Sequence, residues 1–246
     1  MPLTTKIDNL KATTTSEELP VQVTTPGAPK RITVLAYGAP GAGKTYFAST
    51  FPTPLFLDMR GGMMAVRHKK VAFYQPRTFA DMMLASIASR VQKYETIVLD
   101  HLTEATRLLM GEALRVADHA MPQLQDWGLV IERLRKLVAR YTDDDALPDK
   151  HIVFIAEEQI DKDEELGKVL VTPDVPGKFA RQIGSWFDCV FHLRNAFNPE
   201  TKERGRYLLT EPDALYPAKD RTGCLSKLEV PDFNTMWKKI TKEVIT

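Results

Sequence analysis

Two cysteines in 246 residues, Cys189 and Cys224, leave no material for a disulfide framework. Neither stands in a Cys-x-x-Cys pair or near two His at metal-ligand spacing, so the pattern offers no zinc site and two reduced thiols are expected. No run of about 18 apolar residues is present, and the opening Met-Pro-Leu-Thr-Thr-Lys has no apolar segment after a basic start. Membrane insertion and secretion are therefore unsupported, and the expected location is the cytoplasm. An excess of one charge sign is missing too: 33 Lys and Arg face 32 Asp and Glu, for a formal net charge of +1. Non-specific DNA coating needs a surplus of cations to displace phosphate counterions, so any nucleic-acid contact must be local. What is present, 43% hydrophobic residues over this length, suits one globular domain with a sizeable core.

The first 30 residues hold seven Thr and four Pro with little hydrophobic periodicity, too little apolar surface to offset ordering entropy. They read as a flexible arm, with Ile7, Leu10, Val21 and Val23 as the only anchors for docking on a neighbouring subunit. From residue 31 the text alternates. Strands are expected at 31–37 (RITVLAY), 54–58 (PLFLD), 71–74, 96–99, 151–156 (HIVFIA) and 186–193, and a strand at 206–210 pairs with the last of these across a turn-rich segment. Helices are expected at 44–50, 79–91, 102–117, 127–141 and 232–244, with Thr78 and Asp81 spaced as a capping box. Such alternation predicts an α/β fold: a mainly parallel twisted sheet covered by helices on both faces, with an antiparallel hairpin towards the C-terminus. Ligands of such sheets sit at the carboxyl ends of the strands.

Between the first strand and the first helix lies Gly38-Ala39-Pro40-Gly41-Ala42-Gly43-Lys44-Thr45, a full match to G-x-x-x-x-G-K-[ST]. The glycines allow consecutive backbone N–H groups to turn inward on a phosphate, and the helix start adds partial positive charge. Lys44 then reaches phosphate oxygens as a point charge, the Thr45 hydroxyl ligates Mg²⁺, and Tyr46 completes the nucleotide-contacting run. The metal side of a P-loop needs a carboxylate. Residues 96–99 supply an apolar strand that ends at Asp100, placed as the Walker B residue.

In order along the chain, the P-loop, Asp58 followed by Gly61-Gly62, Asp100, Asp126-Trp127-Gly128, Val175-Pro176-Gly177-Lys178-Phe179, Phe187-Asp188 and Ala218-Lys219-Asp220-Arg221 resemble the phage-encoded, RecA-like nucleotide-binding proteins, short recombinases of the single-strand annealing (Sak) type. The similarity extends from about residue 31 to the C-terminus. It implies a RecA-like P-loop NTPase core over residues 31–246, ATP and Mg²⁺ as cofactors, and ATP held at subunit interfaces of a ring or filament. It further implies binding and annealing of single-stranded DNA in homologous recombination, cooperation with a single-strand DNA-binding protein, and a host cytoplasm as the setting. Lys44, Thr45 and Asp100 match the family's phosphate and metal residues. One position departs: the family reads Asp-x-Glu-Gly-Gly where this chain has Asp58-Met59-Arg60-Gly61-Gly62. Arginine stays protonated and cannot accept a proton from attacking water, so slow hydrolysis is expected, with Asp58, Glu104 or Glu157 as replacement bases.

The resemblance also implies that Glu157 or Gln159, after HIVFIA, senses the γ-phosphate and switches the following loop, about 161–178, which occupies the place of a DNA-binding loop. Lys168, Lys178 and Arg181 are its cations, residues 118–127 form a second loop candidate, and Trp127 reads as a core aromatic. Lys219 and Arg221 are candidates to cross a subunit boundary to a neighbour's nucleotide. A local basic cluster, Arg67, Lys69 and Lys70, is a further DNA-facing candidate. Two other classes fit a P-loop: a non-hydrolysing scaffold such as a helicase loader, which Arg60 favours, and a P-loop kinase, which the lack of an Arg-rich lid segment after Asp100 disfavours.

Overall fold

The computed structural model describes residues 27–118, 120–163, 167–198 and 202–242. The arm and its four apolar anchors lie outside the described residues, except for 27–30. The elements run β1 (Thr33–Tyr37), α1 (Lys44–Ala48), β2 (Pro54–Asp58), β3 (Ala72–Tyr74), α2 (Phe79–Leu84), β4 (Thr96–Asp100), α3 (Leu102–Ala117), α4 (Leu124–Thr142), β5 (His151–Ala156), β6 (Glu158–Asp163), β7 (Lys168–Pro173), α5 (Phe179–Gln182), β8 (Cys189–Asn198), β9 (Glu203–Leu209), β10 (Lys219–Asp220), β11 (Leu228–Glu229) and α6 (Phe233–Lys242).

The main sheet is ordered β11-β9-β8-β1-β5-β4-β2-β3, with β10 also paired to β8. β3, β2, β4, β5, β1 and β8 are parallel neighbours, whereas β9 and β11 are antiparallel. This is the expected class, a mainly parallel sheet with an antiparallel hairpin, β8–β9, at one side. β1, β4 and β5 are buried at every position, which is why they read as continuous apolar runs rather than as alternations. Leu35 and Tyr37 pack towards α2, α3, α4 and α5, while Val34 and Ala36 pack towards α1 and α6. With α1 on one face and α3 and α4 on the other, the carboxyl ends of β1, β5 and β4 come together at the edge where open α/β sheets bind ligands. Among the described residues no helix is long and apolar enough to cross a membrane, and both cysteines are free.

Local chemistry sets several boundaries. Thr78 Oγ1 accepts from Asp81 N at 3.0 Å and the Asp81 carboxylate accepts from Thr78 N at 3.0 Å, so the expected capping box starts α2. α4 begins at Leu124, three residues earlier than expected, because Gln123 and Asp126 form a second capping box. The segment 161–178 is not the expected loop. Most of it belongs to the separate two-stranded β6–β7 sheet and the turn into α5; the charges of β6 hid its pairing with the short apolar run Val169-Leu170-Val171.

At the amino end of β5, His151 sits among Phe51, Phe233 and Trp237, and its Nδ1 accepts from Ile32 N at 3.2 Å. Burial pushes its pKa down to about 4 from an ordinary 6.5. The unfolded chain therefore takes up this proton first, and the His151 contribution declines as pH drops from about 6.5 towards 4, by up to about 3 kcal/mol. The urea midpoint of the protein minus that of a His151→Gln variant is expected to shrink between pH 7 and pH 5; a constant gap contradicts the assignment.

Candidate nucleotide site

The loop between β1 and α1 wraps through left-handed glycines, Gly41 at φ +78° and Gly43 at φ +103°, and Ala42 N donates to Ala39 O at 3.1 Å to close its turn. Gly38 has a different requirement: a side-chain carbon there would lie 2.4 Å from Leu193 O of β8. Lys44, 8% exposed, folds along the inside of the loop, its Nζ donating to Gly38 O at 2.7 Å and Ala39 O at 2.9 Å. Burial pulls the Lys44 pKa down, and Glu157, Asp100 and Glu158 oppose that pull. The ammonium is thus buried in a cradle of its own carbonyls with carboxylates nearby.

On the β4 side, Thr45 Oγ1 donates to Asp100 Oδ2 at 2.8 Å. Asp100 is 4% exposed, and burial, with the Asp58 charge adding to it, raises its pKa to about 6 against the hydrogen bond from Thr45 and the charge of Lys44. Asp58 is its partner across β2 and β4. Its Oδ1 accepts from Gly61 N at 2.7 Å, Gly62 N at 2.9 Å and Arg60 N at 3.3 Å, so it caps the turn that follows β2. Among the described residues no group of three or more His, Cys, Asp or Glu forms a metal cage. Thr45 and Asp100 are nevertheless the donor set Mg²⁺ takes when phosphates and water complete its shell, because that ion holds few protein ligands. The residues fit Mg·ATP: N–H groups and Lys44 for the phosphates, one hydroxyl and one carboxylate for the metal, whose bound charge neutralises phosphate oxygens.

The three replacement bases considered from sequence separate clearly. Asp58 is engaged by three backbone donors. Glu104, in the first turn of α3, is bridged by Arg60 Nη1 at 3.2 Å and by Arg107. Glu157 follows β5, between the P-loop strand and the Asp100 strand; its Oε1 lies 3.9 Å from His101 Nε2, and among nearby charges it acts most strongly on Lys44. Gln159 is placed elsewhere: its amide donates to Pro173 O at 3.2 Å and Val175 O at 2.9 Å, tying β6 to the end of β7, and it lines a cavity that contains no P-loop residue.

The same cavity, about 610 Å³, holds Trp127. Trp127 is 39% exposed and not a core aromatic, because the early start of α4 puts it in the first turn, facing Thr103, Ile131 and Val175. Lys219 Nζ donates to Gly184 O at 2.8 Å. Arg221 pairs with Asp188 at 3.5 Å, next to Thr33 at the amino end of β1, the opposite end of that strand from its own P-loop. The cations proposed for DNA do not converge. Lys69 donates to Ser49 Oγ at 2.9 Å and lies 4.2 Å over the Tyr46 ring, so this cluster, with exposed Arg67 and Lys70, flanks α1. Arg181 is held by Asp161 through Nε at 2.6 Å and Nη2 at 3.0 Å, and with exposed Lys178 belongs to α5 on the other face. The side chain of Lys168 lies outside the described residues.

One residue escaped sequence reasoning. Arg206 of β9 is exposed, and its Cδ and Nη1 lie 3.4 Å from where a Gly43 side-chain carbon would stand. A signal existed, since β9 pairs with β8 and β8 with β1, but the length of the hairpin beyond the P-loop was not legible.

A family model described as an AAA domain matches residues 30–222. No curated protein matches the chain. Among solved structures, a KaiC-like protein from the hyperthermophilic archaeon Pyrococcus horikoshii OT3 is similar at 17% identity, covering 77% of this chain and 88% of that one, with a TM-score of 0.41.

Proposed function

The chain belongs to the AAA-domain family, and on that footing we propose that this P-loop ATPase core is an ATP-dependent single-stranded DNA-binding protein, a short phage-type recombinase that anneals strands as a multimer. The observation that carries the reading is a continuous connection: Glu157, the carboxylate whose charge acts most strongly on Lys44, is followed directly by β6 of the outlying hairpin. Gln159 ties that hairpin to Val175, and both residues line the Trp127 cavity. Unpaired bases stack on exposed aromatic side chains with little sequence preference, and Trp127 beside Arg107 offers such a surface. In this reading Glu157 orients or deprotonates the attacking water, and its contact with the γ-phosphate side sets the hairpin's position. Arg60, tied to Glu104, supplies no base, so turnover is expected below about 1 s⁻¹, slow for an enzyme. The same ion pair favours a second reading, a helicase-loading scaffold that binds ATP and hydrolyses little.

The test is fluorescence anisotropy of a labelled single-stranded oligonucleotide with the protein and Mg²⁺, comparing no nucleotide, ADP, ATP and a non-hydrolysable ATP analogue. Tight binding restricted to ATP and the analogue is expected. Absence of binding with every nucleotide removes the DNA reading and leaves the scaffold.

A further inference from the structure

Arg206 has a position that none of the motifs explains. β8 and β9 pair from His192 with Leu209 out to Asn198 with Glu203, so the hairpin continues past Tyr37, the last residue of β1, and overhangs the P-loop. Its base is pressed on that loop, with Leu193 O against Gly38. Three pairs further out than His192, Arg206 stands opposite Asn195 and lays its side chain along Gly43. Among the described residues no carboxylate or carbonyl pairs with its guanidinium, unlike Arg194, which is held by Asp213 at 3.1 Å. An unpartnered guanidinium is thus packed beside a loop whose backbone N–H groups and Lys44 suit a phosphate. A guanidinium in that position gains a charge-assisted partner when an anion enters.

We propose that Arg206 is a nucleotide-binding residue acting within the same chain, a guanidinium that contacts the phosphate chain of the bound nucleotide from the β8–β9 side. The inference rests on the nucleotide-site reading above and deepens it. The sheet order places β9 and β8 on one side of β1, and β5 and β4 on the other. The phosphates would then lie between two different devices, Thr45 and Asp100 with Mg²⁺ on one flank and Arg206 on the other. Arginine suits the place because its planar fork holds phosphate oxygens in pairs. Because Arg206 projects from a hairpin rather than from the P-loop, nucleotide occupancy also ties down that hairpin.

The experiment compares Kd for ATP, ADP and adenosine by calorimetry in the full chain and in Arg206→Ala, Arg206→Lys and Arg204→Ala, with Lys44→Ala as a reference for the site. Arg204 is the control because it stands two residues away on the same strand face. Arg206→Ala is expected to weaken ATP and ADP by about 10- to 100-fold, as for loss of a hydrogen bond to a charged group, with an unchanged melting temperature. Arg206→Lys is expected to restore part of the affinity, Arg204→Ala to bind as the parent does, and adenosine binding to be unaffected in every variant. Unchanged ATP affinity in Arg206→Ala overturns the proposal, as does an equal loss in Arg204→Ala, which would mark a diffuse field. Loss of adenosine binding overturns the phosphate assignment. If the parent chain binds no ATP, or Lys44→Ala binds as well as the parent, the nucleotide-site reading itself fails, a result distinct from failure of Arg206 alone.

Discussion

Lys44→Ala is expected to lower ATP and ADP affinity by roughly 100-fold or more while leaving adenosine binding unchanged, because removing one member of a desolvated charge pair costs several kcal/mol. The magnitude follows from where the ammonium sits. It is 8% exposed, it is held by two carbonyls of its own loop, and burial has already weakened its hold on the proton. Most of the dehydration is thus completed on folding, and phosphate meets a largely buried ammonium, where Coulomb attraction is stronger than in water. The fold should tolerate the change, since the loop is exposed at Ala39, Pro40 and Gly41 and its freed carbonyls can turn to water. Calorimetric titration with Mg·ATP checks both points, and an affinity within threefold of the parent would remove Lys44 from the site.

Gly38→Ala combines a stability effect with a binding effect. A methyl group there would stand 2.4 Å from Leu193 O, and that oxygen belongs to the backbone of a central strand, which cannot move aside as a flexible side chain would. β1 or β8 must shift, at an expected cost of about 3 kcal/mol. Because Gly38 opens the P-loop and its carbonyl holds Lys44, the same shift misaligns the phosphate cradle. Urea unfolding should show a lower midpoint, and ATP affinity should fall at least tenfold under conditions where the variant is folded. Gly41→Ala is the contrast: nothing lies within 4 Å, and only its left-handed φ of +78° opposes an alanine, so about 1 kcal/mol is expected. If the two variants melt alike, the close packing of β8 on the loop is not what glycine provides there.

Much of the sheet was legible because fully buried strands announce themselves. PLFLD and HIVFIA are uninterrupted apolar runs, and β2 and β5 have the bounds read from sequence. α3 was equally clear at 102–117, since its apolar period is supported on one side by the turn after Asp100 and ends in a left-handed Asp118. The P-loop, Thr45 and Asp100 could be picked out because each belongs to a spacing fixed by the chemistry, and the fold brings Thr45 Oγ1 to 2.8 Å from Asp100 Oδ2. What failed was whatever depended on non-local pairing. β6 is polar at every position but Ile160 and β7 has only a short apolar run, so without the partner strand they look like a solvated loop. Gln159 and Trp127 were misplaced for the same reason: their surroundings come from Val175 and Ile131, which no local pattern links to them. Arg206 is the extreme case, because its contact with Gly43 spans the chain from β9 to the P-loop and involves no motif.

The segment that follows Arg221 has a bearing on how this protein can be cut. Phe233, Met236 and Ile240 of α6 belong to the same buried cluster as Phe47 and Ala48 of the P-loop helix, and Phe233 N donates to Thr50 Oγ1 at 2.9 Å. The residues that define family membership stop at 222. A fragment trimmed to that limit would strip the cover from the underside of the helix that carries Lys44 and Thr45, baring Phe47 and Phe51 to water. Homology and cooperativity therefore draw different borders here: the portion recognisable as an AAA domain is smaller than the portion that must fold together to hold a nucleotide.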